Sequence, residues 1–462
     1  MKKSLIALAA LAATSAFAQS SVTLYGRAEA GVDLGYRVTS SGTTNGFSVV
    51  GGTVVPLSPF SVATGTATEK PAFRVSDGQS QGQGSSRFGF RGSEDLGGGL
   101  KANFVMEAGI NLDDGSANNG GGNFFSRAAW VGLSGGFGEV RLGRQVLGSF
   151  GVHANGLAAG ASNGLYEAGA NIAQGGVRFA NAIQYRSPDF GGISGTVSLR
   201  APEGSVSSTS VESRPSAAAT FNTAAIVNSG LVADSAETKN KAGLDLSIAY
   251  ANGPIYVGFG YNKTQSSTTG SNNEAGALFT SSATDAKITD YSISASYNFG
   301  VAQPFFSYVN RKNVSTGNTA GPGVALTNGV LAALAPNQNS AGAGIAGANA
   351  KTRQYTLGVK VPLGAATLIA AYGNAKTTGS GSRNNAGGVV DANDVEGKVR
   401  AFNIGAQYPL SKRTMLQANY GINNTKTATT LVTPTGVNSF NVGGTTGETK
   451  VRALNFGVQH LF

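Results

Sequence analysis

The chain of 462 residues contains no cysteine, only two histidines and only one tryptophan. Without cysteine it has no disulfide, no thiolate metal ligand and no thiol nucleophile. Charged residues are scarce at 13%, and positive charges exceed negative ones by ten. The basic residues occur singly rather than in clusters interleaved with aromatic residues, so the positive balance does not indicate a nucleic-acid partner.

Long hydrophobic runs are also missing. No apolar stretch approaches the length of about 20 residues that a transmembrane helix needs. The apolar segment 4–13 follows two lysines and precedes Ala16-Phe17-Ala18, which is the order of regions in a secretory signal peptide. We predict that residues 1–18 are this signal peptide and that residues 19–462 form a single transmembrane domain.

What the sequence does contain is glycine, with 68 residues, and a regular alternation of apolar and polar residues. In "GLKANFVMEAGI", residues 99–110, Phe104 and Met106 fall on one face of an extended chain, while Lys101 and Glu107 fall on the other. A period of two predicts a strand whose two faces lie in different environments.

The alternation recurs along the whole chain and predicts sixteen strands. These are residues 21–36, 85–95, 100–110, 124–133, 139–145, 177–187, 193–200, 242–252, 255–264, 288–299, 303–311, 352–362, 366–375, 397–408, 414–425 and 450–462. Short turns join them at one edge of the predicted sheet. Long connections rich in Ser, Thr, Asn and Gly join them at the other edge, namely residues 38–84, 111–123, 146–176, 201–241, 265–287, 312–351, 376–396 and 426–449.

This pattern predicts an all-β fold, a transmembrane antiparallel up-and-down β-barrel of the outer membrane. Such barrels have an even number of strands of about ten residues, short periplasmic turns and longer external loops. The apolar face would meet lipid and the polar face a water-filled lumen. The sheet must close on itself, because an open edge would leave backbone polar groups unpaired in hydrocarbon.

Aromatic residues near the strand ends on the outward face would form the interfacial girdles of such a barrel. The residues with this predicted position are Tyr36, Trp130, Tyr185, Tyr250, Tyr297, Phe299, Tyr408 and Phe462.

Several stretches resemble Gram-negative general porins of the β-proteobacterial type. They are "SSVTLYGRAEAGVD", "SRFGFRGSEDLGGGLKANFVME", "SRAAWVGLSGGFGEVRLGRQ", "RFANAIQYRSPDFGGISG" and the C-terminal "NFGVQHLF". The resemblance implies a homotrimer of 16-stranded barrels, in which residues 146–176 are loop 3 folded into the lumen and residues 111–123 are a loop that latches onto a neighbour. It also implies that Phe462, the final aromatic residue, is a signal for the barrel assembly machinery.

The resemblance further implies a row of pore arginines at Arg87, Arg144 and Arg178, with Arg27 on the first strand and a lumenal glutamate at Glu107. Strict alternation places Arg144 on the same face as Leu142, so Arg144 reaches the lumen only if the strand bends near Gly143. Glu167 is the only acid of loop 3, which leaves the positive field poorly balanced and predicts anion preference. Residues that parity adds to the pore lining are Lys101, Arg127 and Tyr25, with Arg91 and Arg141 as further inward bases.

These features favour a general diffusion channel for small hydrophilic solutes, with no cofactor and no metal. A substrate-specific channel is the alternative, and a track of lumenal aromatic residues would distinguish it. An enzyme is not expected, because neither His153 nor His460 has a partner visible in the sequence. A receptor acting through its loops stays open. Outer-membrane lipid and lipopolysaccharide are expected partners, although the sequence does not locate a patch for them.

Overall fold

The computed structural model describes most of the chain from Ser21 onward. The described residues are 21–46, 48–50, 53–55, 62–69, 73–77, 86–117, 124–157, 177–203, 206–212, 232–272, 280–320, 348–385, 388–435 and 438–462. The predicted signal peptide lies outside them. No helix among these residues is long and apolar enough to cross a membrane, a finding that concerns helices alone.

Sixteen antiparallel strands of the described chain form the barrel wall. They are β1 (Ser21–Gly46), β2 (Arg87–Gly97), β3 (Leu100–Gly109), β4 (Ala128–Gly135), β5 (Gly138–Val146), β6 (Arg178–Arg186), β7 (Ile193–Arg200), β8 (Gly243–Asn252), β9 (Ile255–Asn272), β10 (Thr280–Tyr297), β11 (Gln303–Ala320), β12 (Ala348–Leu363), β13 (Ala366–Asn385), β14 (Gly388–Pro409), β15 (Thr414–Thr435) and β16 (Asn438–Leu461). The predicted fold class and strand number are confirmed.

The barrel closes between its first and last strands. β1 pairs with β16 from Arg27↔Leu461 to Gly46↔Gly443. On its other side the lower part of β1 pairs with β2, from Ser21↔Ser93 to Arg27↔Arg87. Each backbone group of the wall can therefore find a partner on a neighbouring strand, as hydrocarbon surroundings require.

The upper part of this seam is filled by segments of the first long connection. Residues Phe73–Asp77 pair with β1 over Ala30–Leu34, and Val62–Glu69 pair with it further out. Phe73 is 65% exposed on the outside, whereas Arg74 points inward to Asp33. The sequence prediction assigned this region to a loop, because a five-residue strand is too short for alternation to stand out.

Other strands also extend well beyond their predicted outer ends. The connections predicted at 265–287, 376–396 and 426–449 are mostly continuations of the flanking strands, with the ladders running to Asn272↔Thr280, Asn385↔Gly388 and Thr435↔Asn438. In the connection 201–241, Val206–Glu212 pairs with Val232–Asn240. The prediction failed there because these segments are polar on both faces, so the apolar alternation stops while the backbone ladder continues.

The two faces of the wall differ as the alternation predicts. On β10, Tyr291 and Ile293 are about half exposed on the outside, whereas Ser292 and Ser294 are buried inside the barrel. Six of the predicted girdle aromatics are exposed as expected: Tyr185, Tyr250, Tyr297, Phe299, Tyr408 and Phe462. The side chain of Tyr36 lies outside the described residues.

Trp130 does not belong to the girdle, and its predicted position was wrong. It shares the inward face of β4 with Gly132, while Val131 and Leu133 face outward. The guanidinium of Arg141 lies 4.0 Å from the centre of the indole ring. The apolar character of Trp130 suggested lipid, but stacking on a cation gives the ring a favourable site within the lumen.

A helix, α1 (Gly148–Gly156), follows β5 and lies inside the barrel against β7 to β11. At the start of the helix, Leu147 packs on Phe179 and Ala182. At its end, Leu157 packs on Phe305 and Ala371. The described part of the predicted loop 3 thus folds into the lumen. Residues 158–176, including Glu167, lie outside the described residues.

Polar contacts along α1 supplement these apolar ones. Ser149 donates hydrogen bonds to Asp245 from its backbone nitrogen and its hydroxyl. Tyr256 and Ser294 both donate to the carbonyl oxygen of Val152, at 3.0 and 2.7 Å. At Gly156 the helix lies so close to Ser294 that a Cβ atom would collide with it, which explains glycine at this position.

His153 is buried in the same contact. Its Nδ1 lies 2.6 Å from the hydroxyl of Ser307, and its Nε2 is buried with no hydrogen-bond partner among the described residues. Burial lowers the pKa of His153 to about 4 from its ordinary value of 6.5. The docked helix therefore holds this imidazole neutral.

We predict that acid loosens the docking of α1. Between pH 6.5 and 4 the undocked helix binds a proton at His153 that the docked helix does not, so docking is fully stable above pH 6.5 and weakens as the pH falls. The loss is about 1.4 kcal/mol per pH unit and about 3 kcal/mol by pH 4. Hydrogen-exchange protection factors of residues 148–157 should decrease accordingly.

The two histidines of the chain supply a matched control. His153→Gln, which keeps a neutral polar group beside Ser307, should make the protection nearly independent of pH over this range. His460→Gln, on the exposed outer face, should behave like the wild type. Full pH dependence in His153→Gln would show that another group controls docking.

Candidate pore constriction

Five arginines from neighbouring strands meet on one wall of the lumen. Arg27 on β1 lies directly opposite Arg87 on β2 in the ladder. The other three are Arg127, which immediately precedes β4, Arg144 on β5 and Arg178 on β6. Arg178 is close enough to experience the charges of Arg127, Arg144 and Arg87, and Arg27 those of Arg87 and Arg127.

Glu107 on β3 is the central acid of this group. Its two carboxylate oxygens accept hydrogen bonds from Arg127 Nε at 2.6 Å and from the Tyr25 hydroxyl at 3.0 Å. Arg87 Nε lies 3.9 Å from the same carboxylate. The glutamate thus fixes the positions of Tyr25 on β1, Arg87 on β2 and Arg127 just before β4.

A second acid, Glu29, lies two residues after Arg27 on the same face of β1. Its carboxylate is fully buried, 3.3 Å from Arg27 Nη2, and accepts a hydrogen bond from Gln417 on β15 at 2.7 Å. Sequence parity placed Glu29 in the lumen on the same face as Arg27, whereas its contact with Gln417 depends on how β1 and β15 are placed around the barrel.

Arg144 and Arg178 are held by backbone oxygens rather than by acids. Arg144 Nε donates to the carbonyl of Ser126 at 2.6 Å, and Arg178 Nε donates to the carbonyl of Arg127 at 2.8 Å. Neither forms an ion pair with a described residue. A carbonyl dipole orients a guanidinium without neutralising it, so both side chains keep their full positive charge.

The bend that Arg144 needs is present at Gly143. This residue has φ +126°, and a Cβ atom there would lie 2.3 Å from the carbonyl oxygen of Ala129. The partner strand shifts register at the same level, between Phe179 and Ala182. The irregularity breaks the alternation, so that Leu142 is exposed outside while Arg144 turns inward to join Arg178.

The remaining sequence-predicted bases form no ion pair with Glu29 or Glu107 among the described contacts. Lys101 is exposed next to the short turn between β2 and β3. Arg91 stacks over Tyr25 at 5.1 Å, and Arg141 pairs with Glu139 at 2.6 Å. Among the described residues, no three His, Asp or Glu side chains are placed to hold a metal ion.

Phe462 lies at the barrel seam rather than in the pore. Its backbone nitrogen and oxygen exchange hydrogen bonds with Gly26 at 3.2 and 3.0 Å. The phenyl ring covers Gly26 so closely that a Cβ atom there would lie 2.3 Å from it.

Sequence comparisons place these features in a family. The model of the family described as Gram-negative porin matches residues 4–428. The chain is 29% identical to outer membrane porin protein 32 of Delftia acidovorans over 472 residues, covering the whole of both chains. It is 34% identical to the major outer membrane protein P.IB of Neisseria gonorrhoeae over 199 residues, which is 43% of this chain and 47% of that one.

Among solved structures, the barrel is similar to the anion-selective porin from Comamonas acidovorans, at 23% identity and a TM-score of 0.48, with coverage of 96% of this chain and 100% of that one. Since the family model spans most of the sequence and the fold is a closed barrel of sixteen strands, the chain belongs to the Gram-negative porin family and is a diffusion channel of the outer membrane.

Proposed function

We propose that the channel is a general diffusion porin that admits small hydrophilic solutes and favours anions at a constriction formed by Arg27, Arg87, Arg144 and Arg178. The observation that carries the proposal is the charge balance on one lumen wall, where five arginines, including Arg127, face two glutamates. A positive field at the narrow part of a pore raises the local concentration of anions and lowers that of cations.

The placement of α1 supports a narrow passage at this level. The helix covers the inner face of β7 to β11, while the arginines occupy β1 to β6. Solutes that pass between them meet arginines on one side. We propose that Glu107 and Tyr25 line the passage and position Arg87 and Arg127, while Lys101 lines the periplasmic vestibule. Glu167 stays a proposed loop 3 acid.

A specific channel for sugars is the alternative that the sequence left open. Such a channel needs exposed aromatic faces in succession along its lumen. The inward aromatics are instead engaged: Tyr25 donates to Glu107, Tyr256 donates to Val152 of α1, and the Trp130 ring is covered by Arg141. These contacts favour the general channel. Catalysis forms no part of the proposal, and both histidines contact hydroxyl groups rather than carboxylates.

We further propose a homotrimer, in which residues 111–123 act as the latch towards a neighbouring subunit. Asn111–Ala117 of this segment form a compact turn in which Asp114 and Asn111 bond to Ser116. The outer face of β2 to β5 is apolar, with Phe90, Met106, Val131 and Leu142 about half exposed. A face of this kind suits either lipid or a second subunit.

Removing two of the arginines should reduce the anion preference. In Arg87→Gln with Arg178→Gln, each lost charge at about 6 Å from a passing ion removes about 0.7 kcal/mol in a water-like dielectric. This is about a threefold effect per charge, reduced by screening in 0.1 M salt. The reversal potential in a planar bilayer under a potassium chloride gradient should therefore shift towards the value expected for a pore that passes only cations.

Arg400→Gln, which removes a charge from the outer face of β14, is the matched control and should leave the reversal potential unchanged. Cation preference in the wild type, or an unchanged potential in the double variant, would contradict the arginine constriction.

Loss of Phe462 should impair assembly more than stability. We propose that the assembly machinery recognises this residue, while the backbone pairing of Gly26 closes the seam. Phe462→Ala, which keeps the backbone pairing with Gly26, should lower the amount of heat-modifiable barrel in the outer membrane several-fold, whereas Phe462→Tyr and Phe299→Ala should assemble normally. If Phe462→Ala also fails to refold from urea into detergent micelles, the residue acts through stability and not recognition.

A further inference from the structure

Among the described residues of the barrel wall, the outward-facing basic side chains lie on one side. On β2 to β8, no described Lys or Arg lies among the outward residues. On the strands from β11 to β15, seven outward bases follow one another around the wall: Lys312, Lys351, Arg353, Lys376, Lys398, Arg400 and Lys426. Their parity is that of exposed lipid-facing residues on the same strands, such as Leu357, Tyr372 and Phe402. We call these seven residues the basic belt.

The basic belt lies at one height on the barrel. Each of its members is nine to twelve residues from the short-turn end of its strand. At about 3.3 Å per residue this is about 30–40 Å along the strand. With a tilt of about 40° the height is about 23–30 Å, which coincides with the outer edge of an apolar band about 25 Å tall.

The register brings like charges directly together within the belt. The directly paired residues are Lys312↔Lys351, Arg353↔Lys376, Lys376↔Lys398 and Lys398↔Lys426. Like charges directly opposite on antiparallel strands are destabilising. These four like-charged pairs therefore need compensation from anions.

The protein supplies only part of this compensation. Glu396 lies 3.0 Å from both Lys376 and Lys398, and Glu448 lies 3.6 Å from Lys426. Lys312 and Lys351 form no ion pair with a described residue. The positive charge is thus least balanced on β11 and β12.

A groove lies at this place. It has a volume of about 520 Å³ and is bordered by Lys312, Lys351, Tyr291, Asn310, Asn349 and Thr378. Two ammonium groups provide donors for a phosphate, while the amide and hydroxyl groups suit sugar hydroxyls. Directly below, Ile293 and Leu357 present exposed apolar side chains to the band.

We propose that this groove and the basic belt bind the phosphorylated sugar headgroup of an outer-leaflet glycolipid, of the lipid A type. The headgroup phosphates lie on Lys312 and Lys351, the sugar against Asn310, Asn349 and Thr378, and the acyl chains along the apolar outer face below. The inference rests on the outer-membrane location of the barrel and is independent of its ion preference. It identifies strands, rather than loops, as the site of lipopolysaccharide contact.

Native mass spectrometry of the full-length protein in detergent, titrated with bisphosphorylated lipid A, tests this site. We expect Lys312→Gln with Lys351→Gln to weaken binding about tenfold. The matched control is Lys412→Gln with Arg413→Gln, which removes two exposed charges at the short turn between β14 and β15 and should bind as the wild type does. Lys312→Arg with Lys351→Arg should retain binding, which separates loss of charge from misfolding.

The lipid series distinguishes the sources of the anion. Dephosphorylated lipid A should bind at least tenfold more weakly, and millimolar inorganic phosphate should not displace lipid A. Equal binding of dephosphorylated lipid A, equal binding of phosphatidylglycerol, or equal loss in both double variants would overturn the proposal. The reversal potential of Lys312→Gln with Lys351→Gln should match the wild type, so a failed constriction and a failed lipid site give different results.

Discussion

The pairing of every strand with two neighbours is the constraint on which the rest of the structure depends. A peptide group in hydrocarbon has no water to bond with, so the wall must close without an edge. The ladder from Arg27↔Leu461 outward performs this closure, and the contact between Gly26 and Phe462 completes it at the lower end. Because closure satisfies the backbone, the side chains are free to serve two different solvents.

The alternating faces then separate two kinds of electrostatics. Inside, charges lie close together in a confined space, and the acids Glu29 and Glu107 order the arginines around them. Outside, bases such as Lys312 and Lys351 lie directly opposite each other on the outward face of neighbouring strands. Basic residues thus occur in two separate settings, the confined lumen and the outer surface of the barrel.

The apolar alternation was sufficient to predict the barrel, the strand number and the inward position of Arg27, Arg87 and Glu107. It was insufficient at Gly143, where the observed φ of +126° lets Arg144 turn inward, and at Trp130, whose apolar ring stacks on Arg141. It also missed the outer halves of the long strands, because polar residues on both faces leave no periodic signal although the backbone ladder continues.

The sequence by itself determined which side chains share a face, because parity along an extended chain is a local property. Only the tertiary structure decided which of them meet. The register of sixteen strands brings Arg27 opposite Arg87, places Lys376 between Arg353 and Lys398, and buries His153 of α1 beside Ser307. These contacts join residues distant in sequence, and they depend on strand offsets and on helix docking that no local pattern specifies.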